Sequence, residues 1–120
     1  MEYVGANLKY AFSSTGDFSF DTMDWDMVFI VGGNKATFIK RNIGSGFTIS
    51  CDRQNMGAKP TSAGEWVFLL DSKFFGPGLL KAVIYARIPD EDFDPDEDFP
   101  TLESVRVEVL KINIETIEAL

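Results

Sequence analysis

The chain has 120 residues, 45% of them apolar, with one cysteine, no histidine and a formal net charge of −8. That length suits a single domain able to bury a core without staples. One cysteine excludes an intramolecular disulfide or a thiolate zinc site, and the missing histidine excludes Ser/His/Asp and Cys/His catalysis together with histidine metal sites.

Two further classes recede on charge and hydropathy. There is no basic stripe to neutralise phosphates, so nucleic acid is not an expected partner. No apolar run approaches the ~18 residues of a membrane span, and the N-terminus lacks a basic-then-apolar leader. A soluble protein, not secreted by its own signal and not membrane-bound, is the expectation.

In chain order, residues 1–7 carry little periodicity and read as an N-terminal arm, with a short strand from Asn7 to Phe12 and a turn at Ser13-Ser14-Thr15-Gly16. In Asp17 to Asp24 the acids alternate with aromatics, so that Phe18 and Phe20 share a face. Trp25 to Val31 becomes apolar on both sides in its second half, which marks a central strand covered twice or one that meets a partner. Gly32-Gly33-Asn34-Lys35 then reads as a hairpin loop into Ala36–Arg41, since Gly and Asn tolerate positive φ. Asn42 to Gly46 is a second turn, and Phe47, Ile49 and Cys51 alternate with polar residues as one face of a half-buried strand. Cys51 in that pattern is a small buried hydrophobe rather than a reactive thiol.

Asp52 to Gly64 has no period and contains Gly57, Pro60 and Gly64, so a long loop is expected. Glu65 to Asp71 resumes a strand with Trp66, Phe68 and Leu70 on one face. Phe74 or Phe75 should cover a sheet end before Gly76-Pro77-Gly78 starts the next strand. That strand places Leu80, Ala82, Ile84, Ala86 and Ile88 on one apolar face, and Pro89 ends it. In the last strand the apolar phase jumps from Val105, Val107 and Val109 to Leu110, Ile112 and Ile114. Such a jump requires a β-bulge or a change of sheet. Residues 115–120 read as a tail or a turn of helix. Six to eight strands with frequent turns predict an all-β, antiparallel immunoglobulin-like β-sandwich, with a small β-barrel as the alternative.

The charge is concentrated in one place. From Asp90 to Asp98 seven of nine residues are acidic, and setting these aside leaves 12 acidic residues against 11 basic ones. Asp90, Asp92, Asp94, Asp96 and Asp98 place a carboxylate at every second position, a donor set suited to calcium. The run lacks the glycine and the final glutamate of a helix-loop-helix calcium loop, and Pro95 interrupts it. Docking to a basic partner, with Phe93 and Phe99 as apolar contacts or as anchors folded back on the core, is the other functional reading; simple solvation needs no ligand. For enzymatic work the composition leaves only paired carboxylates, with Asp17, Asp21, Asp24, Asp26 and Glu65 as candidates. No spacing among them points to a general acid and base, so a non-enzymatic protein is expected.

Three segments carry a resemblance: Asp24-Trp25-Asp26 before its apolar strand; Leu70-Asp71 with Gly76-Pro77-Gly78-Leu79-Leu80-Lys81; and Ile88-Pro89-Asp90-Glu91-Asp92-Phe93 ahead of the strand bearing Arg106 and Glu108. Over Asp17 to Ile114 the chain resembles small all-β virion proteins of phages of gut anaerobes and, more distantly, the N-terminal domain of phage upper baseplate proteins. The resemblance implies a structural module of the tail, baseplate or head surface, without cofactor, packed against copies of itself and other virion proteins. Asp90-Glu91-Asp92-Phe93 followed by Asp96-Glu97-Asp98-Phe99 is longer than the corresponding loop of that group. A calcium- or carbohydrate-binding module using residues 90–98 is the competing function.

Overall fold

The computed structural model of the chain describes residues 2–16, 18–89 and 105–119, with 88, 89 and 105–108 described by their backbone alone. Among the described residues there are nine strands, β1 (Glu2–Tyr3), β2 (Asn7–Ser13), β3 (Asp24–Val31), β4 (Asn34–Ile43), β5 (Gly46–Cys51), β6 (Gly57–Ser62), β7 (Glu65–Asp71), β8 (Gly78–Pro89) and β9 (Val105–Glu118), with one helical turn, α1 (Ser72–Phe75), between β7 and β8. They form a six-stranded sheet in the order β1-β9-β8-β3-β4-β5 and a three-stranded sheet in the order β2-β7-β6. The fold is an all-β sandwich whose larger sheet curls as a half-barrel. All strand pairs are antiparallel except β1 with β9, which is parallel and makes the large sheet mixed. Among the described residues no helix is long and apolar enough to cross a membrane.

Strand periodicity builds the core directly. The inward face of β3 supplies Trp25, Met27, Phe29 and Val31, that of β8 supplies Leu80, Ala82, Ile84 and Ala86, and that of β7 supplies Trp66, Phe68 and Leu70, all buried. Trp25 and Trp66 meet edge to face across the two sheets with ring centroids 5.2 Å apart. Phe18 and Phe20 fold under the sandwich end and also stack edge to face, at 4.7 Å. Phe75 of α1 is buried, as a residue covering the sheet end should be.

Several local expectations change. The first hairpin turn is shorter than four residues: Val31 pairs with Asn34, so Gly32 and Gly33 alone make it, Gly32 at φ 56°. The supposed loop Asp52–Gly64 contains strand β6. Its polar residues hide the period, and Pro60 is tolerated because β6 is an edge strand with a register break between Pro60 and Ser62. At the termini, residues read as an arm and a tail are paired: Glu2 and Tyr3 lie beside Ile117 and Glu118, and β9 runs on to Glu118.

The bulge in β9 exists but at a different place. Pairing with β8 is unbroken from Val105 to Asn113 and slips between Leu80–Glu115 and Lys81–Asn113, leaving Ile114 as the extra residue. Register thus keeps Leu110 and Ile112 opposite the inward residues Ile84 and Ala82, while the slip lets Ile117 face the core and become buried. The jump at Val109–Leu110 is simply two apolar faces meeting in one strand.

One glycine is fixed by a close approach. Gly78 sits at φ 145°, and a β-carbon there would lie 2.7 Å from Cγ1 of Val31. Gly78→Ala should therefore cost about 1–3 kcal/mol, from overpacking plus backbone strain. Urea unfolding checks this; a variant as stable as wild type would contradict it.

Candidate interaction surface

The residues singled out for docking or metal binding, Asp90, Asp92, Phe93, Asp94, Asp96, Asp98 and Phe99, lie outside the described residues, as do Pro95 and Pro100. What is described is where they are attached. Pro89 pairs with Val105, so residues 90–104 join the two strands of one β8–β9 ribbon. The ribbon outruns its neighbour: β3 begins at Asp24, opposite Arg87, so the pairs Ile88–Arg106 and Pro89–Val105 have no third strand beside them among the described residues.

The outward face of the large sheet can be read row by row from the register. One row runs Val109–Tyr85–Asp26–Ile39–Ser50, the next Lys111–Val83–Val28–Thr37, and the next Asn113–Lys81–Ile30–Lys35. The first carries three exposed apolar side chains: Val109 is 47% exposed, Tyr85 40% and Ile39 38%. Such side chains beside one another in a sheet are stable in water singly but form a patch together. Val28, at the centre, is buried even on this outer side because its neighbours crowd over it. Basic residues surround the patch, with Lys111, Lys81, Lys35 and Arg87 all in outward positions.

Within the patch Asp26 touches Arg41, Nη2 to Oδ1 at 2.8 Å. The contact is one of charge without a well-aligned hydrogen bond, since that carboxylate oxygen has no hydrogen-bond partner and Arg41 Nη1 donates instead to the carbonyls of Trp25 and Lys40. Both side chains are about a third exposed. A pair of this kind is worth under ~1 kcal/mol, so it orients Arg41 more than it stabilises the fold.

The acids considered for paired-carboxylate chemistry have other occupations. Asp21 accepts from Trp66 Nε1 at 3.1 Å on one oxygen and from the Gly64 amide at 2.6 Å on the other. Asp24 accepts from the Asn42 amide at 2.7 Å, and Glu65 accepts from the Thr61 hydroxyl at 2.9 Å. They clamp turns and strand ends. Asp17 is outside the described residues. Among the described residues no group of three or more His, Cys, Asp or Glu is placed to hold a metal ion. Cys51 packs against the core from a half-buried position, and desolvation pushes its thiol pKa up, a setting for a thiol rather than a thiolate.

The outer edge of β9 is a feature that periodicity alone does not reveal. Among the described residues, only β1 pairs with that edge, at Ile117 and Glu118. From Val105 to Thr116 the edge is unpaired among the described residues and contains neither proline nor glycine. The signal was available in the sequence as an uninterrupted β-rich run, but which strand lies at an edge depends on sheet order. Of the other edges, β6 carries Pro60 and a register break and β5 lies against β6, while β2 pairs only with β7 among the described residues but is half the length of β9.

Where β9 returns to the core, Tyr10 of β2 points its hydroxyl at Glu115 Oε2, 3.5 Å away. Burial, with the Glu115 and Glu2 carboxylates adding to it, drives the phenol pKa well above its usual value. Because the folded state keeps this proton when the unfolded chain has released it, Tyr10 contributes stability that is full below pH ~10 and lost as pH rises further. Urea unfolding at pH 9 and pH 11 should show a steeper loss for wild type than for Tyr10→Phe; equal losses would contradict the assignment.

A cleft of about 720 Å³ opens between the Gly32-Gly33 turn and Gly76-Pro77-Gly78, walled by Phe75, Val31 and Leu79 with Lys81 at its rim. It is open to solvent. The chain matches no family model, no curated protein and no solved structure.

Proposed function

We propose that the protein is a non-enzymatic assembly module: an immunoglobulin-like β-sandwich that acts by shape in a phage virion, in the tail, baseplate or head surface, against copies of itself and other virion proteins. The observation that supports assembly is the β9 edge, unpaired from Val105 to Thr116 among the described residues, next to the exposed row of Val109 and Tyr85. Such an edge is a template for strand addition, and folded proteins ordinarily guard it. The virion setting is inferred from the three resembling segments of the sequence, and the acidic run 90–98 serves in this reading as a contact to a basic neighbour.

The test is direct. Purified phage particles carrying this gene should contain the chain at a fixed copy number by quantitative mass spectrometry, and light scattering of the isolated protein should give a defined oligomer. Absence from particles would defeat the virion reading. Millimolar calcium should leave the melting temperature unchanged, since only a ligand held by the native state raises it; a rise would assign Asp90 to Asp98 to the metal instead.

A further inference from the structure

Resting on the assembly reading above, we infer that the partner on the β9 edge is a second copy of this chain, paired antiparallel β9 to β9 about a two-fold axis and joining the two large sheets into one. Three observations converge on self-pairing. The edge is bare over Val105–Thr116 among the described residues, and β1 stops it at Ile117, so the available length is bounded. Its two faces are both apolar at the middle: Val109 lies outward, Leu110 lies toward the core opposite Ile84, and they are 47% and 37% exposed. The order of charges along the strand then selects how two copies align.

A two-fold axis normal to a continuous sheet sets some residue opposite itself, and its neighbours opposite each other in mirror order. Centring on Val109 sets Val109 against itself, Lys111 against Val107 and Glu108 against Leu110. Centring on Leu110 sets Leu110 against itself, Lys111 against Val109 and Glu108 against Ile112. Neither alignment opposes like charges. Moving the centre one residue toward the N-terminus puts Glu108 against Glu108, and one residue toward the C-terminus puts Lys111 against Lys111. The second of these shifts also brings Val105 opposite Ile117, where β1 already sits. A register centred on Val107 opposes Arg106 to Glu108 but pairs only residues 105–109 of the strand. The two central registers are therefore the longest that avoid both like-charge opposition and β1, and in them Val109 and Leu110 lose their water and Tyr85 of each copy extends the buried row.

The experiment uses the full chain. Light scattering over a concentration series should give twice the chain mass for wild type, or an even multiple of it, and Val109→Lys and Leu110→Lys should each halve it while far-ultraviolet circular dichroism and cooperative unfolding persist. In a Cys51→Ser background, Val109→Cys or Leu110→Cys should oxidise to a disulfide-linked dimer, and Lys59→Cys on β6 should not. If the lysine variants fail to fold, the cysteine pair decides. An oligomer whose mass ignores both lysines, with no cross-link at either cysteine, overturns this interface while leaving the assembly reading intact. A monomer at every concentration overturns both the interface and self-assembly, and would fit the edge being covered within one chain.

Discussion

Phe68→Ala should destabilise the protein by about 3–5 kcal/mol, enough to consume much of the stability a domain of this size possesses. Phe68 is completely buried at the centre of the smaller sheet, and its ring sees five others: Phe38 at 5.2 Å, Phe29 at 5.4 Å, Phe12 and Trp25 at 5.7 Å and Phe20 at 6.3 Å. Those partners come from both sheets and from the turn before β3. Truncation opens a cavity whose walls are held by β-ladders and cannot collapse, so both transfer and cavity contributions apply. Melting should fall by roughly 10–20 °C. Phe47, 44% exposed and tilted against the Trp66 ring with centroids 5.2 Å apart, is the control. Its truncation should cost no more than about 1–2 kcal/mol, since much of its surface already faces water. Urea unfolding of both variants checks the order; equal losses would mean that the inter-sheet cluster is not what holds the sandwich together.

Lys40→Met is the second large effect expected, and its pH dependence makes it diagnostic. Lys40 is fully buried on the inward face of β4, in register with Trp25, and its ammonium donates to the carbonyls of Asp21 and Met23, each at 2.9 Å. It therefore fastens the turn that carries Phe20 and Asp21 to the sheet. Methionine keeps the stem volume and loses both charge-assisted bonds, worth about 1.5–3 kcal/mol apiece. Relief of the buried cation returns part of that, for a net loss of about 2 kcal/mol.

Burial pulls the Lys40 pKa down, and the Asp24 and Asp21 carboxylates only partly oppose it. The folded chain thus sheds this proton before the unfolded chain does. Between the lowered folded value and ~10.4 the unfolded state binds more protons, so the contribution of Lys40 rises with pH. The stability gap between wild type and Lys40→Met should widen from pH 7 to pH 10. Making both measurements in a Tyr10→Phe background removes the opposing alkaline loss. A gap that stays constant or narrows would contradict the buried-ammonium account.

Much of the fold is legible along the chain because strand burial has period two. Leu80, Ala82, Ile84 and Ala86 announced their inward face, and so did Trp66, Phe68 and Leu70. The turns at Gly32-Gly33 and Gly76-Pro77-Gly78 were equally visible, since glycine and proline carry their backbone preferences locally. The same local signals miss β6, where polar residues flank Pro60 and what makes a strand is the ladder offered by β7.

The site divides in the same way. Composition alone removed histidine chemistry, disulfides and thiolate metal sites, because those need residues the chain lacks. The acidic run 90–98 is likewise a property of sequence. By contrast, Asp21 as the clamp on Trp66 and Gly64, Lys40 as a buried cation, and the position of the bulge at Ile114 arise from pairings between residues distant in the chain. The edge of β9, unpaired over Val105–Thr116 among the described residues, is the clearest case. A run of β-forming residues reads alike at the middle of a sheet or at its border, and only the strand order, set by how both apolar faces are covered at once, decides which hydrogen-bonding groups are left for a partner.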